Sequence, residues 1–163
     1  MKDHPDYDPA DFQLEHAEAL RILIERDGFT VEPVRPDETS RRPAYAYTVG
    51  LEETSNRPEL AAVGLTGDAA ADVLGEFARH VIGGGDLPVG ALFQGLLPGG
   101  LACALLPVDL GRWGAWFDGL TDYYQHLPYR VLQLVYPDPA GRFPWDDEVE
   151  AVVREAEWVI GEW

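Results

Sequence analysis

The stretch PAYAYTVGLEETSNRPELAAVGL, Pro43 to Leu65, carries the strongest strand pattern in the chain and sets its architecture. Its first apolar run alternates, with Tyr45, Tyr47, Val49 and Leu51 on one face and Ala44, Ala46, Thr48 and Gly50 on the other. One face is bulky and the other nearly bare, so a helix, a second sheet or a flat ligand can approach the backbone closely. After a polar loop from Glu52 to Pro58, the run from Leu60 to Leu65 is almost continuously apolar, as in a strand buried on both faces. The two runs predict a hairpin with a long loop.

Upstream, Asp8 and Pro9 make a helix start, following a disordered lead over residues 1–8. The helix runs to Gly28, and Phe12, His16, Ala19, Leu20, Leu23 and Ile24 share its inward face. Phe29 to Val34 alternates as a short strand, and Arg35 to Ser40 is turn chemistry. Downstream, Thr66 or Asp68 caps a helix that reaches Ile82 with Val73, Leu74, Phe77 and Val81 in one stripe, stopped by Gly83 to Gly85. Those glycines follow a helix rather than open one, which is the wrong order for a phosphate cradle.

Gly90 to Leu97 and Leu101 to Val108 flank Pro98 to Gly100 as a second hairpin whose long apolar arms suggest a central position. From Gly111 to Leu127, Trp113, Trp116, Phe117, Leu120, Tyr123, Tyr124 and Leu127 recur at steps of three and four, the spacing of a helix with a core-facing aromatic stripe. Val131 to Tyr136 reads as the last strand, and three prolines make Tyr136 to Trp145 a rigid turn. Asp146 or Asp147 then caps a final helix with Val149, Val152, Val153, Ala156 and Ile160 inward. The expected fold is α+β: one domain over residues 1–163, with a mostly antiparallel sheet of about six strands, one parallel pair within reach, and helices packed against it.

A chain of 163 residues is one domain's length and can bury one sizeable core. Its 29 acids against 12 bases give a net charge of -17, which repels nucleic acid and either supplies solubility as solvated faces or captures a basic protein partner. The acids concentrate toward the ends, in residues 1–40 and 146–163. No apolar run is long enough to span a membrane, and the acidic N-terminus is unlike a secretion signal, so a soluble cytoplasmic protein is expected. The single Cys103 reads as a buried hydrophobe rather than a disulfide or metal ligand. His4, His16, His80 and His126 stand apart, so no metal site is expected, and Ser40 and Ser55 lie in polar turns without a nucleophile elbow.

Three segments resemble the bacterial domain-of-unknown-function family 4262: AYTVGL from Ala46, Pro58-Glu59-Leu60, and LQLVYPDPAGRFPW from Leu132 to Trp145. They occur in that family's order and spacing over roughly Gly28 to Trp145, which leaves 146–163 as this chain's own helix. The resemblance implies no activity. Two positions depart from it: Arg57 stands where members often carry His, and Tyr136 where they often carry Trp.

The residues suited to lining a ligand pocket are Tyr45, Tyr47, Gln133, Asp138, Arg142 and Trp145, with Glu59 as an acid or base. Each also has a structural reading: tyrosines satisfied at a sheet edge, Gln133 bonded to a loop backbone, Asp138 and Arg142 pinning the turn. Two function classes follow. One is a non-catalytic interaction or accessory protein that binds a basic partner. The other is a binding protein or enzyme for a planar small molecule, since the element order has some likeness to flavin-binding split barrels. No catalytic residue, reaction or cofactor is specified by the sequence.

Overall fold

The structure, a computed structural model, describes residues 9–65 and 67–162, with side chains from Leu14 onward. The expected lead over residues 1–8, the Asp8 cap and the Thr66 cap lie outside the described residues, and the Phe12 side chain lies outside the described side chains. Six strands form one sheet in the order β1-β2-β3-β6-β5-β4. They are β1 (Thr30–Val34), β2 (Tyr45–Val49), β3 (Glu59–Val63), β4 (Leu92–Phe93), β5 (Cys103–Pro107) and β6 (Val131–Val135). All neighbours run antiparallel except β3 and β6, which pair in parallel from Glu59 opposite Val131 to Ala62 opposite Leu134. The α+β fold read from the sequence is therefore the one observed.

The alternation in β2 divides the core. Tyr45, Tyr47 and Val49 face a layer built from α1 (Pro9–Asp27), α4 (Leu110–Trp113), α5 (Asp118–Tyr123) and the C-terminal segment. The bare face meets α3 (Gly67–Ile82): Ala46 and Ala62 pack with Ala70, Leu74, Phe77 and Ala78. Small side chains on both surfaces let this helix lie close to the sheet. Leu51 departs from the expected face. The strand ends at Val49, and Gly50, at φ 116°, turns the chain so that Leu51 drops into the α3 side. Leu51–Ser55 then forms a short helix, α2, where a loop was expected.

Three other elements differ from expectation. The second hairpin is short and peripheral, because β4 is a two-residue edge strand with Leu92 largely exposed. The aromatic helix breaks into α4, a 3-10 turn over Gly114–Phe117, and α5. Carbonyls freed at the break are taken by side chains, with Tyr45 Oη donating to Trp116 O at 2.7 Å and Tyr129 Oη to Phe117 O at 3.4 Å. The final helix, α6, covers only Ala151–Ala156. Asp146 does not cap it; its carboxylate accepts the Phe143 amide at 2.8 Å inside the preceding turn.

Beyond α6 the chain is extended, and Gln133 captures it. The Gln133 amide donates to Trp158 O at 2.6 Å, and its oxygen accepts from Ile160 N at 2.7 Å and Gly161 N at 2.9 Å. Gly161 also bridges Val108 beside β5. This clamp positions the C-terminal segment over the sheet, and with it one wall of the site described next.

Candidate functional site

The predicted site residues separate along the sheet. Glu59 opens β3 at one end, the turn after β6 carries Asp138, Arg142 and Trp145 at the other, and Tyr45, Tyr47 and Gln133 lie in the buried layer between. Tyr45 and Tyr47 are buried and line neither of the two hollows described below. Tyr45 packs on Trp116 with ring centroids 4.6 Å apart, and Tyr47 meets the edge of Phe117 at 5.5 Å. Burial pushes both hydroxyls up, so neither is poised to lose a proton. Gln133 spends its amide on the clamp.

Glu59 is fully buried and surrounded by donors. Oε1 accepts from Thr48 Oγ1 at 2.9 Å and Leu51 N at 3.0 Å; Oε2 accepts from Gly50 N and Glu52 N, both at 3.2 Å, and from Tyr124 Oη at 2.5 Å. Burial pushes this carboxyl up, while Tyr124, the Glu52 and Leu51 amides and Thr48 pull against it. The side chain ties β2, β3 and α2 together. It does not line the neighbouring hollow, whose walls include Arg21, Glu53, Tyr123 and Tyr124.

At the opposite end the turn is pinned as a unit. Asp138 accepts from Ala140 N at 2.9 Å and Arg142 N at 2.8 Å, and pairs with Arg142 Nε at 2.9 Å. The Arg142 amide and guanidinium hold the Asp138 carboxyl below the usual range. Arg154 reaches back from α6 to donate to Pro144 O at 3.2 Å and Asp146 O at 3.0 Å. Phe143 is buried against Ala104, Leu106 and Val135, and Trp145 stacks on it at 4.8 Å with ring planes 2° apart. Trp145 thus presents an indole, 36% exposed, on a rigid base.

A groove of about 560 Å³ lies between this turn and the clamped C-terminal segment. Trp113, Trp145 and Trp158 provide aromatic walls, and Arg112, Arg154 and Glu157 provide charge or hydrogen bonds. Tilted ring contacts continue inward from Trp158 to Trp116 at 6.0 Å and on to Tyr45, so the buried tyrosines back the groove without lining it. Arg112 lies over the Trp113 ring, its Cζ 5.1 Å from the centroid. Glu157 is 2% exposed; Oε1 accepts from Tyr136 N at 3.0 Å, and burial pushes its carboxyl up to about 8. Of the predicted residues only Trp145 lines this groove, with Asp138, Arg142 and Gln133 holding its walls. Arg112, Trp113, Arg154, Glu157 and Trp158 were not among the sequence candidates. An acid set between alanine and tryptophan in an apolar run, Ala156-Glu157-Trp158-Val159-Ile160, was the available signal.

The model of a family described as "Domain of unknown function (DUF4262)" matches residues 23–150. The chain belongs to this family. No curated protein and no solved structure matches it. The family span includes both the Glu59 network and the Trp145 turn, whereas Arg154, Glu157 and Trp158 lie beyond it, so one wall of the groove is outside the family region. At the two positions that depart from the family's expected pattern, Arg57 pairs with Asp86 at 2.8 Å and Tyr136 Oη donates to Val63 O at 2.9 Å. Neither reaches the groove lining.

Proposed function

We propose that this family member is a non-catalytic, cytoplasmic binding protein that takes a planar small molecule in the tryptophan groove. The observation that carries this reading is the meeting of Trp113, Trp145 and Trp158 around a groove of about 560 Å³, held open by the pinned turn on one side and the Gln133 clamp on the other. That volume lies within the range of about 300–1,000 Å³ usual for small-molecule sites. Stacking on indole faces rewards flat ligands, and walls fixed beforehand lower the ordering cost of binding. The nucleophiles give catalysis little support. Cys103 is buried with its thiol pushed up to about 12, and Ser40 donates to Asp37 in an exposed turn.

Calorimetric titration with 2-naphthylmethanol, a planar and uncharged probe, tests the reading. Saturable binding is expected, with shifts of the Trp113, Trp145 and Trp158 indole N–H resonances, and Trp145→Ala is expected to weaken it at least tenfold. No saturation at millimolar probe, or equal binding by Trp145→Ala, overturns it.

The net charge of -17 favours a second reading, an interaction protein for a basic partner that is indifferent to nucleic acid. A pull-down with immobilised polylysine and polyglutamate tests it. Salt-sensitive retention on polylysine alone is expected, and equal behaviour on both resins removes it.

A further inference from the structure

The lining of the tryptophan groove has a charge opposite to that of the chain. Arg112 and Arg154 are its cations and Glu157 its one acid. Among the described residues the Arg112 guanidinium has no hydrogen bond or ion pair and rests only on Trp113. Arg154 commits Nε and Nη2 to the turn carbonyls, and its Nη1 has no partner among the described residues. Glu157 is almost wholly buried, yet only Oε1 has a partner, the Tyr136 amide; Oε2 has none among the described residues. Donor and acceptor atoms on a groove lining that have no protein partner are positions where a ligand group can complete the hydrogen bonding.

We infer that the groove selects a planar ligand bearing an oxyanion such as a carboxylate, which Arg112 and the free edge of Arg154 pair with and to which the Glu157 carboxyl donates a hydrogen bond. The inference rests on the groove being the ligand site and names the chemistry of its ligand. Its donors are consistent with one another. Two guanidiniums on one groove lining favour an anionic acceptor, whereas a cationic ligand would face both arginines. The group bonded to Glu157 is the Tyr136 amide at the end of β6, and Arg112 from α4 and Arg154 from α6 share its groove lining. None of them forms an ion pair with it among the described residues. The carboxyl, pushed up to about 8, keeps its proton at neutral pH and loses it in mild alkali, where it would repel the oxyanion.

Calorimetry with three naphthalenes of one shape and different charge tests this: 2-naphthoate, 2-naphthylmethanol and 2-naphthylmethylammonium. At pH 7 the expected order is naphthoate about tenfold tighter than the alcohol, with the ammonium weakest. Between pH 7 and pH 9.5 the preference for naphthoate is expected to fall about tenfold in the parent and to persist in Glu157→Gln, which keeps a donor and cannot ionise. Arg112→Gln, at an exposed position, is expected to lose most of the preference at every pH while leaving the melting temperature unchanged. Equal or tighter binding of the ammonium, or a preference for naphthoate that ignores both substitutions, overturns the oxyanion assignment and leaves the groove as the ligand site. Failure of all three probes to bind overturns the assignment together with the reading beneath it.

Discussion

Replacing Glu59 by glutamine changes one atom in a pocket where the surrounding groups are donors. Leu60 N donates to Thr48 Oγ1 at 2.9 Å, which leaves the Thr48 proton to point at Glu59 Oε1. The Gly50, Leu51 and Glu52 amides can only donate. A glutamine nitrogen at the Oε2 position would face two N–H groups, so its better placement is at Oε1. There it opposes Leu51 N–H and leaves that buried donor unsatisfied, at a cost of about 1–3 kcal/mol. The bonds that remain lose their charge-assisted character, which makes them roughly half as strong. Together these terms destabilise the fold by about 3 kcal/mol. Urea denaturation of the parent and Glu59→Gln at pH 7, followed by circular dichroism, measures the difference. A lower midpoint at unchanged slope is expected, with faster hydrogen exchange at the Leu51 amide. Tyr124→Phe, which deletes one donor of five, should cost only about 1 kcal/mol. A Glu59→Gln protein as stable as its parent would refute the reasoning. It would mean that burial wins, the carboxyl is held as the neutral acid, and the Tyr124 hydroxyl turns round to accept.

Gly161→Ala places a Cβ against the Leu106 side chain and 2.9 Å from Leu106 O; a loss of about 1–3 kcal/mol is expected in the same denaturation assay. Gln133→Leu leaves Trp158 O, Ile160 N and Gly161 N without their partner, so hydrogen exchange should accelerate at the Ile160 and Gly161 amides well before the sheet amides respond. Trp145→Ala removes an indole that is already a third exposed, and it should cost about 1–2 kcal/mol by thermal melting rather than the 3–5 of a full core truncation. The folded Glu157 carboxyl titrates at about 8 against an ordinary value of 4.5, so its contribution to stability is complete below about pH 4.5 and is lost as pH rises through 8. Stability measured at pH 5, 7 and 9 should therefore fall less steeply for Glu157→Gln than for the parent, and parallel curves would contradict the shift.

The sheet was legible because strand signals are local. The alternation at Tyr45, Tyr47 and Val49 and the apolar run from Leu60 depend on near neighbours and on burial, and both survive in the folded chain. The helices at 110–123 and 151–156 were misread because distant groups decide them. Periodicity across Trp113, Trp116, Phe117 and Leu120 describes which side chains turn inward, and that remains true. It does not register that the Tyr45 hydroxyl binds Trp116 O and the Thr121 and Tyr129 hydroxyls bind Phe117 O, which helps an irregular turn replace a continuous helix. Likewise, the pattern through Ala156 and Ile160 suits a helix until Gln133, more than twenty positions earlier, offers three hydrogen bonds to an extended chain.

The site followed the same division. Rigidity of the Asp138 to Trp145 turn is written in its prolines and its aspartate, and the structure places Trp145 on the groove at the end of that turn. The residues opposite it could not be found by spacing, because Trp113, Glu157 and Trp158 meet Trp145 only after the C-terminal segment folds back over β6. Glu157 shows why composition misled as well. Counted as one of 29 acids it adds to the charge sum, yet it is buried with a single amide partner, burial pushes its carboxyl up to about 8, and it shares a groove lining with two arginines. A net charge of -17 therefore describes what the chain repels at long range, where screening leaves only the sum. At contact distance the two guanidiniums, the Glu157 carboxyl and the indole faces act individually, and the oxyanion preference proposed for them runs against that sum.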